Sequence, residues 1–110
     1  MIKYHSWYIL DENQNPIPAK SFDEWLTWME DSNKRIIEET EGDNLRLVTF
    51  FLGINHSTYS DPEPILFETM IYKDYQNKKT SKILCRYHTL AEAKKGHAEY
   101  VKKYFTHVKN

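Results

Sequence analysis

The sequence is poor in the residues that form covalent frameworks and phosphate-binding loops. Among its 110 residues there are one cysteine, Cys85, and three glycines. A single cysteine excludes an internal disulfide and is typical of a protein from a reducing compartment. Three glycines are too few for a Gly-rich nucleotide cradle, and no zinc-protease or nucleophile-elbow motif is present. The absence of these motifs counts against the common enzyme classes.

Long apolar runs are also lacking. No stretch approaches the roughly 20 apolar residues that a membrane-spanning helix needs. The first residues do not combine a basic segment with an apolar run, which is the pattern of a signal peptide. We therefore expect one domain over residues 1–110, located in the cytoplasm and without membrane contact. We assign no cofactor, and the oligomeric state stays open.

Aromatic residues and charge are distributed in an unusual way. Aromatic residues make up 15% of the chain, including eight tyrosines and three tryptophans, and such side chains suit both cores and interfaces. Residues 1–72 carry five Lys/Arg against thirteen Asp/Glu, whereas residues 73–110 carry ten against three. This indicates an acidic side and a basic side. The charges either complement each other within one fold or provide a basic face for nucleic acid or an acidic protein.

Alternating and continuous apolar patterns predict five strands, at 4–10, 35–41, 45–53, 65–72 and 82–88. Residues 11–19 contain two prolines and several turn formers, which predicts a loop, and the basic residues 73–81 predict a turn. A helical extension is the alternative for 35–41. The order β-α-β-β-β-β-α favours an α+β fold: a mainly antiparallel sheet of about five strands with two helices packed on one face.

Two capping boxes predict where the helices begin. Ser21 with Glu24 opens a helix to about residue 30, and Thr89 with Glu92 opens one to about residue 107. The first helix carries an apolar stripe at i, i+3, i+4 and i+7 formed by Phe22, Trp25, Leu26 and Met29. Gly96 in the middle of the second helix costs about 1 kcal/mol relative to alanine. We therefore expect Gly96 to mark a close approach between this helix and the sheet.

Two surfaces are candidates for binding a partner. The polar loop at 54–64 lies between the two most apolar strands, and loops held in this way often carry function. Its candidate contact residues are His56, Tyr59 and Asp61. The outer side of the second helix carries Lys94, Lys95, Lys102 and Lys103, which suit an acidic protein or the phosphates of a nucleic acid.

Four other residues form the candidate set for a small enzyme or a ligand or metal site: His56, Glu68, His88 and His97. His97 and Glu68 have structural interpretations as well. His97 lies on the apolar stripe of its helix, which favours a hydrogen-bonded core histidine. Glu68 interrupts an apolar strand, and because an isolated buried carboxylate is costly, it should pair with Arg86 on the neighbouring strand. We assign no catalytic or metal-binding residue.

Three segments carry a resemblance to a known family. They run from Thr49 to His56, over Leu66-Phe67-Glu68-Thr69-Met70, and from Arg86 to His97. Their pattern, T-x-F-L-G-x-x-H, L-F-E-T-M and R-Y-x-T-x-x-E-A-x-x-G-H, resembles a family of small uncharacterised proteins from bacteriophages and prophages. The resemblance covers most of the chain from residue 20 onward. The lysine-rich segment 73–81 departs from the short Gly-containing turn of the pattern.

The resemblance implies a function without implying catalytic residues. Small phage proteins often bind host machinery, including defence nucleases, as anti-CRISPR proteins do. We therefore expect a phage-type accessory protein that acts by protein–protein binding in an infected bacterium, as an inhibitor of a host defence complex. The partner would be a host or phage protein complex such as a nucleoprotein nuclease. A nucleic-acid-binding module based on the basic helix, and the small enzyme or ligand binder above, are the alternatives.

Overall fold

The structure, a computed structural model, describes residues 6–57 and 63–105. The secondary structure follows the chain as β1 (Tyr8–Leu10), β2 (Pro16–Pro18), α1 (Phe22–Met29), a short 3₁₀ helix (Ser32–Arg35), β3 (Ile36–Gly42), β4 (Leu45–Phe51), β5 (Phe67–Tyr75), β6 (Lys78–Tyr87) and α2 (Leu90–Phe105). The predicted α+β class is confirmed. Within the described ranges, no helix is long and apolar enough to cross a bilayer.

Strands β3 to β6 form one antiparallel meander in the order β3-β4-β5-β6. Strands β3 and β4, at the predicted positions, form an antiparallel hairpin in which Gly42 pairs with Leu45. The prediction of a turn over 73–81 was too wide, because β5 and β6 continue through this segment to a two-residue connection at Gln76 and Asn77. Both residues have positive φ, 51° and 65°. Such a pair forms a turn whose twist matches that of the strands, so the hairpin needs no glycine.

The predicted loop at 11–19 contains a short strand that the sequence pattern did not indicate. Strand β2 consists of Pro16, Ile17 and Pro18 and pairs with β1 in a separate two-stranded sheet. Proline cannot donate a ladder hydrogen bond and is therefore confined to edge strands such as this one. The five predicted strands are thus distributed over two sheets, with four in the main sheet and β1 in the small one. Trp7 bridges Ile54 and links the two sheets.

Both predicted capping boxes are formed. The Ser21 hydroxyl accepts from the Glu24 amide at 3.1 Å, and the Glu24 carboxylate accepts from the Lys20 amide at 2.6 Å. At α2, the Thr89 hydroxyl accepts from the Glu92 amide at 3.1 Å, and the Glu92 carboxylate accepts from the Thr89 amide at 3.2 Å. Each box satisfies backbone donors that have no partner inside the helix.

The core lies on one face of the main sheet, and both helices pack on that face. Phe51 and Phe67 are fully buried beside Ala93 of α2, and Trp28 of α1 meets the Phe51 ring edge-on at 5.6 Å. The predicted close approach at Gly96 is confirmed, because a Cβ atom there would lie 2.5 Å from the Cζ atom of Tyr87. Glycine therefore lets α2 approach β6 closely.

A buried polar chain crosses this core. The Nε2 atom of His97 is 2.9 Å from the Thr40 hydroxyl, and its Nδ1 atom is 2.8 Å from the Thr49 hydroxyl. The Thr49 hydroxyl is 2.5 Å from that of Thr69, which is 2.9 Å from the Tyr87 hydroxyl. This polar chain consists of one residue from each of the four strands of the main sheet and one from α2. His97 is only 3% exposed, which confirms the interpretation as a hydrogen-bonded core histidine.

Neither α1 nor α2 packs on the opposite face of the main sheet, where the short 3₁₀ helix lies beside strands β3 to β5. Because neighbouring residues of a strand point to opposite faces, the residues beside Thr49 and Thr69 point away from α2. We call this side the open face, and its central positions are Glu39, Arg46, Val48, Phe50, Glu68, Met70, Tyr72, Ile83 and Arg86. The predicted pairing of Glu68 with Arg86 is found here, with Arg86 Nε donating to Glu68 Oε1 at 2.8 Å.

Candidate interaction surfaces

The described part of the 54–64 loop is held at both ends by the side chain of Asn55. Its Oδ1 atom accepts from the Ser57 amide at 2.8 Å and from the Ile65 amide at 3.1 Å. The His56 amide donates to the Ile65 carbonyl at 3.0 Å, and its side chain is exposed. The described start of the loop therefore presents His56 on a fixed backbone. Tyr59 and Asp61 lie outside the described residues.

The predicted lysines of α2 are all exposed. At 100° per residue, Lys95 and Lys102 share one side of the helix with Ala98, and Lys94 adjoins them. The Lys103 ammonium lies 5.6 Å from the Tyr104 ring on the flank. Tyr100 turns toward the sheet, where its hydroxyl donates to the Leu84 carbonyl at 3.2 Å. The outer side of α2 is therefore basic, and its tyrosines are not available there for stacking on bases.

The four residues of the alternative site do not converge. The His97 side chain lies between α2 and the main sheet, whereas Glu68 lies on the open face of that sheet. His88 donates through Nδ1 to the Pro64 carbonyl at 3.0 Å, and His56 belongs to the loop. Across residues 6–57 and 63–105, no group of three or more His, Cys, Asp or Glu side chains could hold a metal ion. This arrangement offers no joint site for acid–base chemistry or metal binding.

Burial determines the protonation of the two titratable groups in the polar chain. Desolvation lowers the pKa of His97, an effect that the negative charge of Glu38 partly offsets. Desolvation raises the pKa of Tyr87 to about 12, although its hydrogen bond with Thr69 acts in the opposite direction. Both groups are therefore neutral in the folded protein near pH 7. A neutral imidazole between two threonine hydroxyls, covered by a helix, is a structural element.

A cluster of exposed apolar side chains lies where α1 meets β1. We call it the aromatic patch and define it as Trp7, Phe22, Trp25, Leu26 and Ile54. The ring centroids of Trp7 and Phe22 are 5.0 Å apart, and those of Phe22 and Trp25 are 5.7 Å apart. Phe22 is 45% exposed and Leu26 is 44% exposed. Trp25 is fixed from below, because its Nε1 donates to the Gly53 carbonyl at 2.9 Å.

The sequence predicted the apolar stripe of α1 correctly, but it did not predict that two of the four side chains in the stripe are exposed. Trp25 and Met29 face Gly53, where an added Cβ atom would lie 2.6 Å from the Met29 methyl carbon. Phe22 and Leu26, on the same stripe, remain at the surface. Helical periodicity shows which residues share a side, but the short β1–β2 hairpin is too small to cover all of them.

The chain matches no family model, no curated protein and no solved structure.

Proposed function

We propose that this chain is a small phage-type accessory protein that acts by binding another protein through the aromatic patch and the adjoining start of the 54–64 loop. The observation that carries the proposal is the aromatic cluster of Trp7, Phe22 and Trp25, of which Trp7 and Phe22 are exposed. Tryptophan and other aromatic side chains are enriched in interface cores and among the residues that dominate binding energy. A contiguous apolar patch on a small protein often marks such a site.

The geometry of the patch supports binding by a rigid surface. Trp25 is anchored to the Gly53 carbonyl, and Trp7 belongs to the backbone bridge with Ile54. A partner therefore meets rings that are already ordered, which limits the loss of side-chain entropy on association. Fully burying a leucine or phenylalanine side chain is worth about 1.5–3 kcal/mol. Since about half of that burial is still to be gained at Phe22 and Leu26, covering each would contribute roughly 1 kcal/mol.

The loop predicted from sequence to contact a partner begins at this patch. Ile54 is a member of the patch, and the exposed His56 follows two residues later. An apolar centre beside polar groups is the usual composition of a protein interface. The nature of the partner, a host defence complex that this chain would inhibit, is supported by the resemblance to phage proteins. The patch supports protein binding in general.

A nucleic-acid partner is the alternative, and Lys94, Lys95 and Lys102 on the outer side of α2 favour it. Sequence-tolerant binding of single strands usually combines such charges with aromatic stacking. Tyr100 points into the sheet instead. This alternative predicts an affinity that falls steeply with salt concentration.

The proposal is tested by affinity capture from a bacterial host lysate with a patch variant and a matched control. The patch variant is Phe22→Ser with Leu26→Ser, because neither side chain has a polar partner to lose. The control is Tyr75→Ser, which removes a side chain that is 68% exposed at the tip of the β5–β6 hairpin. All baits are compared with and without nuclease treatment, after thermal melts have shown that each is folded.

We expect a stoichiometric protein partner that survives nuclease, binds the control, and is lost with the patch variant. Retention of the partner by the patch variant would place the contact elsewhere. Loss of every partner on nuclease treatment would favour the nucleic-acid alternative. Absence of a partner in all arms would contradict a protein-binding function in that host.

A further inference from the structure

The open face carries a concave site that the proposed function does not use. A cavity of about 240 Å³ lies between the 3₁₀ helix and strands β3 to β5. Its polar lining comes from Ser32, Arg35 and Arg46, and its apolar lining includes Val48, Phe50 and Tyr72. We call this cavity the Arg35 pocket. It places two guanidinium groups beside apolar and aromatic surface.

Arg35 is the unusual member of this pocket. Its Nε atom is buried and has no hydrogen-bond partner, and it is the single such side-chain atom in the part of the chain that the structure describes. Over the same ranges, Arg35 forms no ion pair with a carboxylate. A buried donor without a partner costs stability, and such groups in native proteins usually have a function or a missing ligand to explain them. The Arg35 side chain therefore has an unfilled hydrogen-bonding requirement.

Arg46, the second arginine of the pocket, already has a carboxylate partner. Its Nε donates to Glu39, and its guanidinium carbon lies 5.4 Å from the centroid of the Tyr72 ring. Hydrogen bonding to Glu39 raises the pKa of Arg46, so this group stays charged. Glu39 is the one carboxylate paired with either arginine within the described residues. The lining of the pocket carries two guanidinium groups and no carboxylate. Glu39 and Glu41 both act on Arg46, whereas Arg35 has no carboxylate partner within the described residues, so an anion in the pocket would supply one.

We propose that the Arg35 pocket binds an oxyanion, either a carboxylate or a phosphate, that is attached to an aromatic or apolar group. A guanidinium presents planar N–H donors that match carboxylate and phosphate oxygens. Ser32 adds a hydroxyl to the rim of the pocket, and Phe50 and Tyr72 offer apolar surface to the rest of the ligand. A cavity of about 240 Å³ accommodates one such ring with its acid group, so a small ligand or a single side group of a larger one would fit.

The arginine side chains allow a direct test by NMR. In ¹H–¹⁵N spectra, the Nε–H signal of Arg35 reports on the atom that has no partner. The probes are benzoate and phenyl phosphate, with acetate and inorganic phosphate as ligands that lack the ring, and sodium chloride at equal ionic strength. We expect a saturable shift of the Arg35 signal with benzoate, phenyl phosphate or both. Binding of the ring-bearing member should be at least several-fold tighter than that of its ring-free counterpart.

Two variants separate the pocket from general charge. Arg35→Gln should lose the saturable shifts of the backbone amides around the pocket. Lys34→Gln removes the same charge from the neighbouring residue and should keep them. Tighter binding of phenyl phosphate would identify the ligand class as phosphate, and tighter binding of benzoate would identify it as carboxylate. Shifts that do not saturate, that sodium chloride reproduces, or that persist in Arg35→Gln would overturn the proposal.

A stability measurement distinguishes ligand binding by Arg35 from a purely structural role. Arg35→Met keeps the apolar stem of the side chain and removes the donor that has no partner. Without an oxyanion, this variant should melt no lower than the wild-type protein, because a donor without a hydrogen-bond partner and a charge without an ion-pair partner have been removed. With a saturating probe, only the wild-type protein should gain stability. If Arg35→Met and Arg35→Gln both melt well below the wild-type protein in the absence of oxyanions, Arg35 stabilises the fold itself and the proposal fails.

Discussion

Replacing Gly96 with alanine should destabilise the protein, although glycine is an unfavourable residue inside a helix. Gly96 is buried in α2 and faces the ring of Tyr87. An added methyl carbon would lie 2.5 Å from the Tyr87 Cζ atom, well inside the normal contact distance of about 3.5–4.0 Å between carbon atoms. The ring cannot move away freely, because its hydroxyl is hydrogen-bonded to Thr69 at 2.9 Å.

Three effects decide the size of the change. Alanine in place of glycine gains about 1 kcal/mol of helix propensity. Inserting a methyl group into a packed core costs about 1–3 kcal/mol, and the short distance to Tyr87 places this site at the upper end. Displacing the Tyr87 hydroxyl from Thr69 adds about 1 kcal/mol. We therefore expect Gly96→Ala to lower the free energy of unfolding by about 2–3 kcal/mol.

Urea denaturation followed by tryptophan fluorescence measures this change, and the melting temperature should fall by roughly 8–12 °C. Ala98→Gly is the control, because Ala98 is exposed on the outer side of the same helix. This substitution reports helix propensity alone and should cost about 1 kcal/mol. If Gly96→Ala instead stabilised the protein by about 1 kcal/mol, α2 would not approach β6 closely, and the packing described above would be wrong.

Three further perturbations test other parts of the fold. Because burial lowers the pKa of His97, the unfolded chain binds a proton more readily than the folded protein does. The free energy of unfolding should therefore be highest above about pH 6.5 and should fall at lower pH by at most about 1.4 kcal/mol per pH unit for this histidine. Urea titrations at several pH values measure this slope, and His97→Phe should reduce it. Arg86→Ala leaves the carboxylate of Glu68, a residue that is only 4% exposed, without its partner. The free energy of unfolding should fall by about 1–3 kcal/mol, a range that allows for the solvent around Arg86. Adding Glu68→Leu to this variant should recover most of the lost stability. Thr89→Ala removes the cap of α2 and should lower the unfolding free energy by about 1 kcal/mol in the same assay.

The features that sequence predicted correctly depend on neighbours in the chain. The capping boxes at Ser21 and Thr89 need only a partner three residues away. The interpretation of Gly96 used the cost of glycine in a helix, which only a close contact would justify. His97 was placed in the core because its helical position coincides with the apolar stripe. In each case the determining interaction lies within one element or at its end.

The features that sequence did not predict depend on which residues meet across elements. The end of the β5–β6 hairpin is formed by Gln76 and Asn77, a pair that carries no glycine signal. The aromatic patch exists because the small β1–β2 hairpin does not cover Phe22. The Arg35 pocket requires the register that brings Arg46 opposite Tyr72. Periodicity can assign these residues to a side, but it cannot say what lies against that side.

The uneven charge of the sequence has a physical counterpart at the two edges of the main sheet. Strand β3 carries Glu38, Glu39 and Glu41 at one edge, and β6 carries Lys78, Lys79 and Lys82 at the other. Charged side chains on an edge strand discourage it from pairing with the same edge of another copy. One face of the sheet is covered by the helices. The two surfaces that we propose for binding lie elsewhere, namely the aromatic patch and the Arg35 pocket on the open face.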